Sequence, residues 1–274
     1  MSSLLDHVII EIVPLKSAPA AVAALPPRST VSVTCSPVKG IQATLELASE
    51  VLGAGHQVVP HLAARMVEGP EHVARIAAWC KREGVRSVFV IGGDQETPKG
   101  PYRDGVEFLQ AILAADHNLT DIGFAAYPDG HALIDRRVLH EATHAKQALV
   151  EAAGLAPFVS TQMCFDPGLI RTWLEHERAA GLRASLHLGI PGVVDRTKLL
   201  TMGARLGVGT SLRFLKKNRA TVGRLLSPGG YDPSSLVRPL EADAQRLGID
   251  SLHLFTFNEV EQTERWRASA LAVR

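Results

Sequence analysis

The 274-residue chain is 46% hydrophobic and carries a formal net charge of +1, with only 5% aromatic residues. That is ample for a sizeable core, and it gives neither the basic stripe of a nucleic-acid binder nor an apolar run of about eighteen residues that would span a membrane. Three cysteines, Cys35, Cys80 and Cys164, stand in no metal-ligand spacing, and the start MSSLLDHVIIEIVPLK lacks a basic leader, so a cytoplasmic protein is expected.

Apolar runs rich in Val and Ile alternate with stretches of helical period along the whole chain. Strands are predicted at 7–13, 31–35, 57–64, 87–94, 121–128, 158–163, 185–190 and 251–257. Helices are predicted at 41–53, 70–84, 104–116, 138–153, 167–180, 195–206, 234–247 and 258–271. The Ala- and Pro-rich SAPAAVAALPPRS leaves room for only a short first helix, and an extra short helix is expected at 210–217, after strand seven. Eight strands each followed by a helix, with no linker or composition shift, predict a single (β/α)8 TIM barrel over residues 1–274.

Polar residues mark the strand ends: Glu11, Thr34, His61, Asp94, Tyr127, Asp129, Gln162 and Asn258. In a parallel barrel the loops that carry chemistry gather at one end, so these residues are expected to share one site. Glu11 lies inside an apolar strand, where a carboxylate is costly unless paired or used, and that setting suits a general acid. Asp94 follows Gly92 and Gly93, which allow a ligand or another backbone to approach; its bland alternative is a helix N-cap. Gln162 can donate and accept to a planar heterocycle, or be a satisfied core amide. His61, Tyr127 and His131 are individually weak and gain only from their shared address. In GVGTSLRFLKKN, Thr210 or Ser211 can cap a helix that carries Arg213, Lys216 and Lys217, an arrangement open to an anion.

Two motif matches point elsewhere. HEATH at 140–144 fits the HExxH pattern of zinc peptidases, but its helix joins two barrel strands, so the histidines are expected on the outer shell as solvated groups, with no metal. GAGHQV at 53–58 precedes a strand instead of opening a helix, so it reads as a helix end and not as a dinucleotide fingerprint.

The order of short motifs resembles the methylenetetrahydrofolate reductase family: IIEIVP around Glu11, VSVTCSP, PHL at 60–62, GGD at 92–94, AAYPDGH at 125–131, TQMCFD at 161–166, GIPG at 189–192 and LFTFN at 254–258. The resemblance covers almost the whole chain. It implies a (β/α)8 barrel that reduces methylenetetrahydrofolate to methyltetrahydrofolate. It also implies that Glu11 helps protonate and open the five-membered ring to an iminium, that Asp94 tunes the hydride-transfer site at the pterin, and that Gln162 orients the folate. Thr34 and Tyr127 are expected on the substrate; His61, Asp129, His131, Arg213 and Lys216 are expected on the cofactor.

Family members usually hold FAD, with an arginine before the Gly-Asp of strand four and an Arg-Lys pair on the helix after strand five. Here those places read Gly92 and Gln147, Ala148, Leu149, with Lys146 the nearest cation. The chain is similar to the flavin-independent, actinobacterial-type members, so direct hydride transfer from NADH is expected, with NADPH as the alternative donor. An FAD-containing reductase, a pterin- or deazaflavin-dependent barrel and a non-catalytic binding barrel are the competing readings; the unpaired carboxylates Glu11 and Asp94 argue against the last. The expected partners are these small molecules, with no nucleic acid or membrane and a homo-oligomer left open.

Overall fold

The computed structural model describes residues 4–195 and 231–272. Eight parallel strands close into a barrel in sequence order, with β8 returning to pair with β1. They are β1 Val8–Ile12, β2 Thr30–Val33, β3 Gln57–Ala63, β4 Ser87–Ile91, β5 Asp121–Ala126, β6 Ala156–Thr161, β7 Ser185–Pro191 and β8 Ser251–Phe255. Around them lie α1 Ala18–Ala23, α2 Gly40–Gly53, α3 Pro70–Glu83, α4 Gly105–Leu113, α5 Arg136–Ala152 and α6 Pro167–Ala179, then helices Ser234–Glu241, Ala244–Leu247 and Val260–Ala272. The TIM barrel expected from the alternation of strands and helices is therefore the fold. The helices expected at 195–206 and 210–217 lie outside the described residues.

Local chemistry sets the element ends. Helix α3 starts on Pro70 and stops at Gly84, whose φ of 71° satisfies a left-handed C-cap. Helices α4, α5 and α6 are capped by the carboxylates of Asp104, Asp135 and Asp166, each accepting from backbone N–H groups of the first turn. Asp94 is thus not the cap of α4, which begins eleven residues later at Gly105. The helix expected at 234–247 is split into Ser234–Glu241 and Ala244–Leu247. Strand β2 ends at Val33, so Thr34 stands in the loop that follows.

The strands alternate more than their apolar runs suggest. Ile10, Ile12, Val31, Val33, Leu62, Val88, Val90, Ile122, Leu186, Leu188, Leu252 and Leu254 pack outward into two extended clusters with the helices. The opposite phase carries Glu11, Ser32, His61, Ser160, His187 and His253, beside a small apolar group of Val59, Phe89 and Phe158. A barrel interior of this length is more often filled by branched aliphatics. Here histidines and phenyl rings fill it, with His61 4.7 Å from Phe89 and Phe158 5.0 Å from His187 between ring centroids. Gly123 makes room for them: a Cβ there would stand 2.1 Å from Phe158 and 2.6 Å from Phe89. No described helix is long and apolar enough to cross a membrane.

Candidate active site

Glu11 is the fourth residue of the five in β1 and is 5% exposed. Its register against Ser32 and Phe255 holds it between β2 and β8, and its carboxylate Oε2 lies 3.1 Å from His253 Nε2. The other ring nitrogen, Nδ1, lies 3.2 Å from Ser160 Oγ on β6. The sequence expectation of an unpaired Glu11 is therefore corrected: a buried carboxylate needs a partner, and an imidazole supplies it. The chain of Glu11, His253 and Ser160 admits two proton arrangements. Either His253 donates from Nε2 to the carboxylate while the serine hydroxyl donates to Nδ1, or a protonated Glu11 donates to Nε2 while Nδ1–H donates to the serine oxygen.

A second buried pair lies beside it. His61, in β3, is 2.6 Å from Ser32 Oγ and 6.3 Å from the His253 ring. Burial, reinforced by the neighbouring His253, depresses the His61 pKa to about 3, so the ring is neutral near pH 7. His187 is depressed to about 4, again chiefly by burial. His61 thus sits within the barrel wall, two residues short of the end of its strand. Ligand atoms of Glu11, His61 and His253 all fall within 4.8 Å of one another, a set able to hold a metal, although Ser32 and Ser160 already engage the two imidazoles.

At the strand ends above this network, Thr34 has a buried hydroxyl with no hydrogen-bond partner among the described residues. Asp94 is exposed in the loop after β4. Arg65, in the turn after β3, anchors that loop by donating to the carbonyls of Gln95, Glu96 and Arg103, and Gln95 donates to the Pro37 carbonyl at 2.9 Å. Gly93 has φ 91°, and a Cβ there would come 3.1 Å from Ala63 Cβ, so this glycine admits the end of β3. Burial raises the Tyr127 pKa and the Asp94 charge adds to the rise, which places the tyrosine and the carboxylate in one electrostatic field. Burial also raises the Cys35 pKa, with the Asp94 charge a smaller influence in the same direction.

The half-buried Gln162 uses one lone pair of Oε1 to accept from the Met163 N–H at 2.8 Å, which leaves its amide N–H groups and the second lone pair to meet a ligand. Tyr127 meets His131 edge-on at 5.3 Å. His131 Nδ1 accepts from the Leu133 N–H at 3.2 Å, and the Asp129 carbonyl accepts from Arg136 at 3.2 Å, so both sit in the loop between β5 and α5. Arg213, Lys216 and Lys217 lie outside the described residues.

Asn258 closes the barrel instead of joining the site. Its Oδ1 accepts from the Val13 N–H at 2.8 Å, and its amide donates to the Val13 carbonyl and the Ser17 hydroxyl at 3.0 and 2.9 Å. Thr256 donates to the Glu11 carbonyl at 2.6 Å and fixes the acid's backbone. On α5, Lys146 lies over the outward Phe124 ring at 5.1 Å, and burial pushes its pKa down to about 8, so it packs in the outer layer. Gln147 is buried; it donates to the Gly181 carbonyl and accepts from the Arg183 and Ala184 N–H groups. The outer face of α5 also corrects the expectation for HEATH: His140 and His144 are on the outer shell, but they converge on the buried Glu177 and are not solvated singly.

Sequence reasoning missed His253, Ser160, Ser32 and His187. A signal was present: Ser-Leu-His-Leu occurs at 185–188 and again at 251–254, setting each histidine between two leucines and therefore on the face opposite to them.

Residues 23–207 match the family model described as Methylenetetrahydrofolate reductase. This span includes Thr34, His61, Asp94, Tyr127 and Gln162; Glu11 and His253 fall outside it and are joined to it by the geometry above. Among solved structures, a dihydropteroate synthase from Thermus thermophilus is 15% identical, with 98% of this chain and 96% of that one covered and a TM-score of 0.48. A putative phosphonomutase from Burkholderia cenocepacia is 17% identical over 80% of this chain and 93% of that one, with a TM-score of 0.43.

Proposed function

The chain belongs to the methylenetetrahydrofolate reductase family, and from that premise we propose that it reduces 5,10-methylenetetrahydrofolate to 5-methyltetrahydrofolate with hydride taken directly from NADH. On this reading residues 1–274 make one catalytic barrel. The observation that carries the proposal is the buried Glu11, paired to His253 and through it to Ser160, because it provides a water-shielded proton donor with a defined reservoir.

Opening the five-membered ring breaks the bond between N10 and the bridging carbon. N10 takes a proton from Glu11, and the carbon stays on N5 as an iminium. Hydride from the dihydronicotinamide then adds to that carbon and leaves a methyl group. His253 holds the Glu11 carboxyl and, through Ser160, provides a route for its reprotonation. Asp94 stands exposed at the mouth, suited to the pterin edge, and Gln162 offers its amide N–H groups to a heterocycle acceptor. The orphan Thr34 hydroxyl and Tyr127 are the remaining substrate contacts. His61, Asp129 and His131 are assigned to the nicotinamide donor, together with Arg213 and Lys216. Closing two planar rings face to face while excluding water supplies the rest of the acceleration.

Three features support direct transfer. Gly92 has no side chain to offer a flavin diphosphate, Gln147 is committed to the turn before β7, and Lys146 is committed to Phe124. The described residues at these positions therefore do not fit a charge-assisted diphosphate site.

The test uses NADH deuterated at its transferable position, with methylenetetrahydrofolate under anaerobic conditions. Direct transfer places the deuterium in the product methyl group and leaves the purified protein colourless. Loss of the label to solvent, or a yellow protein with about one FAD per chain, would refute direct transfer. Absence of any methyltetrahydrofolate would refute the reductase assignment.

A further inference from the structure

The HEATH segment has no place in the reaction above, yet its histidines are arranged for chemistry. His140 and His144 lie one turn apart on α5, with ring centroids 4.4 Å apart. Helix α6 brings Glu177 to both: Oε2 is 2.9 Å from His140 Nδ1 and 2.9 Å from His144 Nε2. The Glu177 side chain is 5% exposed, and among the described residues its carboxylate has no lysine or arginine partner. Two neutral imidazoles that point at one buried carboxylate oxygen through different ring nitrogens donate to it as opposite tautomers. A cation between them is met by all three groups at once, because the two ring nitrogens and the carboxylate oxygen each offer a lone pair toward one point.

We propose that His140, His144 and Glu177 form a divalent transition-metal site of the zinc class, clamping α5 to α6 on the outside of the barrel. All three ligand atoms lie within 4.8 Å of one another. Bonds of about 2.0–2.2 Å in a tetrahedron give ligand edges of about 3.3 Å, so small rotations of the three side chains admit the ion. Two imidazoles with one carboxylate select zinc, cobalt or nickel over magnesium or calcium, which need more oxygen ligands. A cavity of about 150 Å³ opens against His140 and Glu177 and gives room for a fourth ligand. Water fills that position, or His176, which lines the cavity and has its ring 5.6 Å from His140.

The site is structural and not hydrolytic. Glu141, the residue that would act as base in the zinc-peptidase pattern, is exposed and pairs with Arg137 at 2.7 Å. Thr143, between the histidines, is buried and donates to the Leu139 carbonyl within α5.

The experiment takes the whole chain, stripped with a chelator, and titrates zinc by calorimetry with a parallel thermal melt. One tight equivalent and a raised Tm are expected, with cobalt giving the intense visible bands of a tetrahedral site. His140→Ala and His144→Ala, both partly exposed positions, should each weaken zinc at least about tenfold while folding normally. Glu177→Gln should do the same if it folds. No zinc binding by the wild-type chain would overturn the proposal. So would binding that survives both histidine substitutions but is lost in His61→Asn, since the ion would then occupy the interior cluster of Glu11, His61 and His253.

Discussion

Replacing Glu11 with glutamine tests the core of the proposed chemistry with little disturbance of shape. The amide has the volume of the carboxyl, and it can keep a hydrogen bond to His253, now 3.1 Å from Oε2. Exchanging one charge-assisted bond for a neutral one changes stability by about 1–2 kcal/mol, so the variant should fold. It cannot deliver a proton to N10. General acid catalysis contributes roughly 10²–10⁴-fold, or about 2.7–5.5 kcal/mol of barrier. A kcat fall of that size is expected for Glu11→Gln, with KM for the folate little changed, because the interaction lost is made as the ring opens. The assay is anaerobic loss of the dihydronicotinamide absorbance, with circular dichroism to verify folding. His253→Asn should fall between the variant and wild type, since the acid remains but loses its support. A folded Glu11→Gln that turns over at the wild-type rate would refute Glu11 as the acid, and an equal loss in both variants would refute the division of roles.

Gln162→Ala should raise KM for the folate more than it lowers kcat, because the amide offers binding to ground and transition states alike; an effect on kcat alone in steady-state kinetics would argue against it. Gly123→Ala should destabilise the barrel by about 1–3 kcal/mol in urea unfolding, because its Cβ would stand 2.1 Å from Phe158; an unchanged midpoint would show that the phenyl rings can move aside. His61 adds a pH dependence. With a folded pKa of about 3 against 6.5 for the unfolded chain, it binds no proton in the fold between these values, while the unfolded chain does. Its stabilising contribution is full above pH 6.5 and is lost as pH falls toward 3, at up to about 1.4 kcal/mol per pH unit. Thermal melts of His61→Asn should therefore lose less Tm than wild type between about pH 7 and 5, and parallel losses would show that other groups govern acid stability.

Strand and helix order was legible because it rests on local periodicity. The runs HVIIEIV, SVFVIGGD and SLHLFTF carry their strand character within a few residues, and the structure moves most strand limits by no more than two or three. Parallel order and closure followed from the helices between strands. Motif order along the same strands was enough to suggest the family, since a motif is also a local pattern.

Partnership was decided by the tertiary structure. Glu11 and His253 are 242 positions apart and meet only because β8 closes onto β1, and Ser160 joins them across the barrel interior. The same closure turned Asn258 from a strand-end candidate into a clasp on Val13, and outer-layer packing bound Gln147 to the turn after α6. His140, His144 and Glu177 show the limit most directly. The sequence placed the histidines on the outside of the barrel, but only the packing of α5 against α6 brought a buried carboxylate between them. A periodic pattern fixes which way a side chain faces, whereas the identity of the group it faces depends on contacts between segments far apart in the chain.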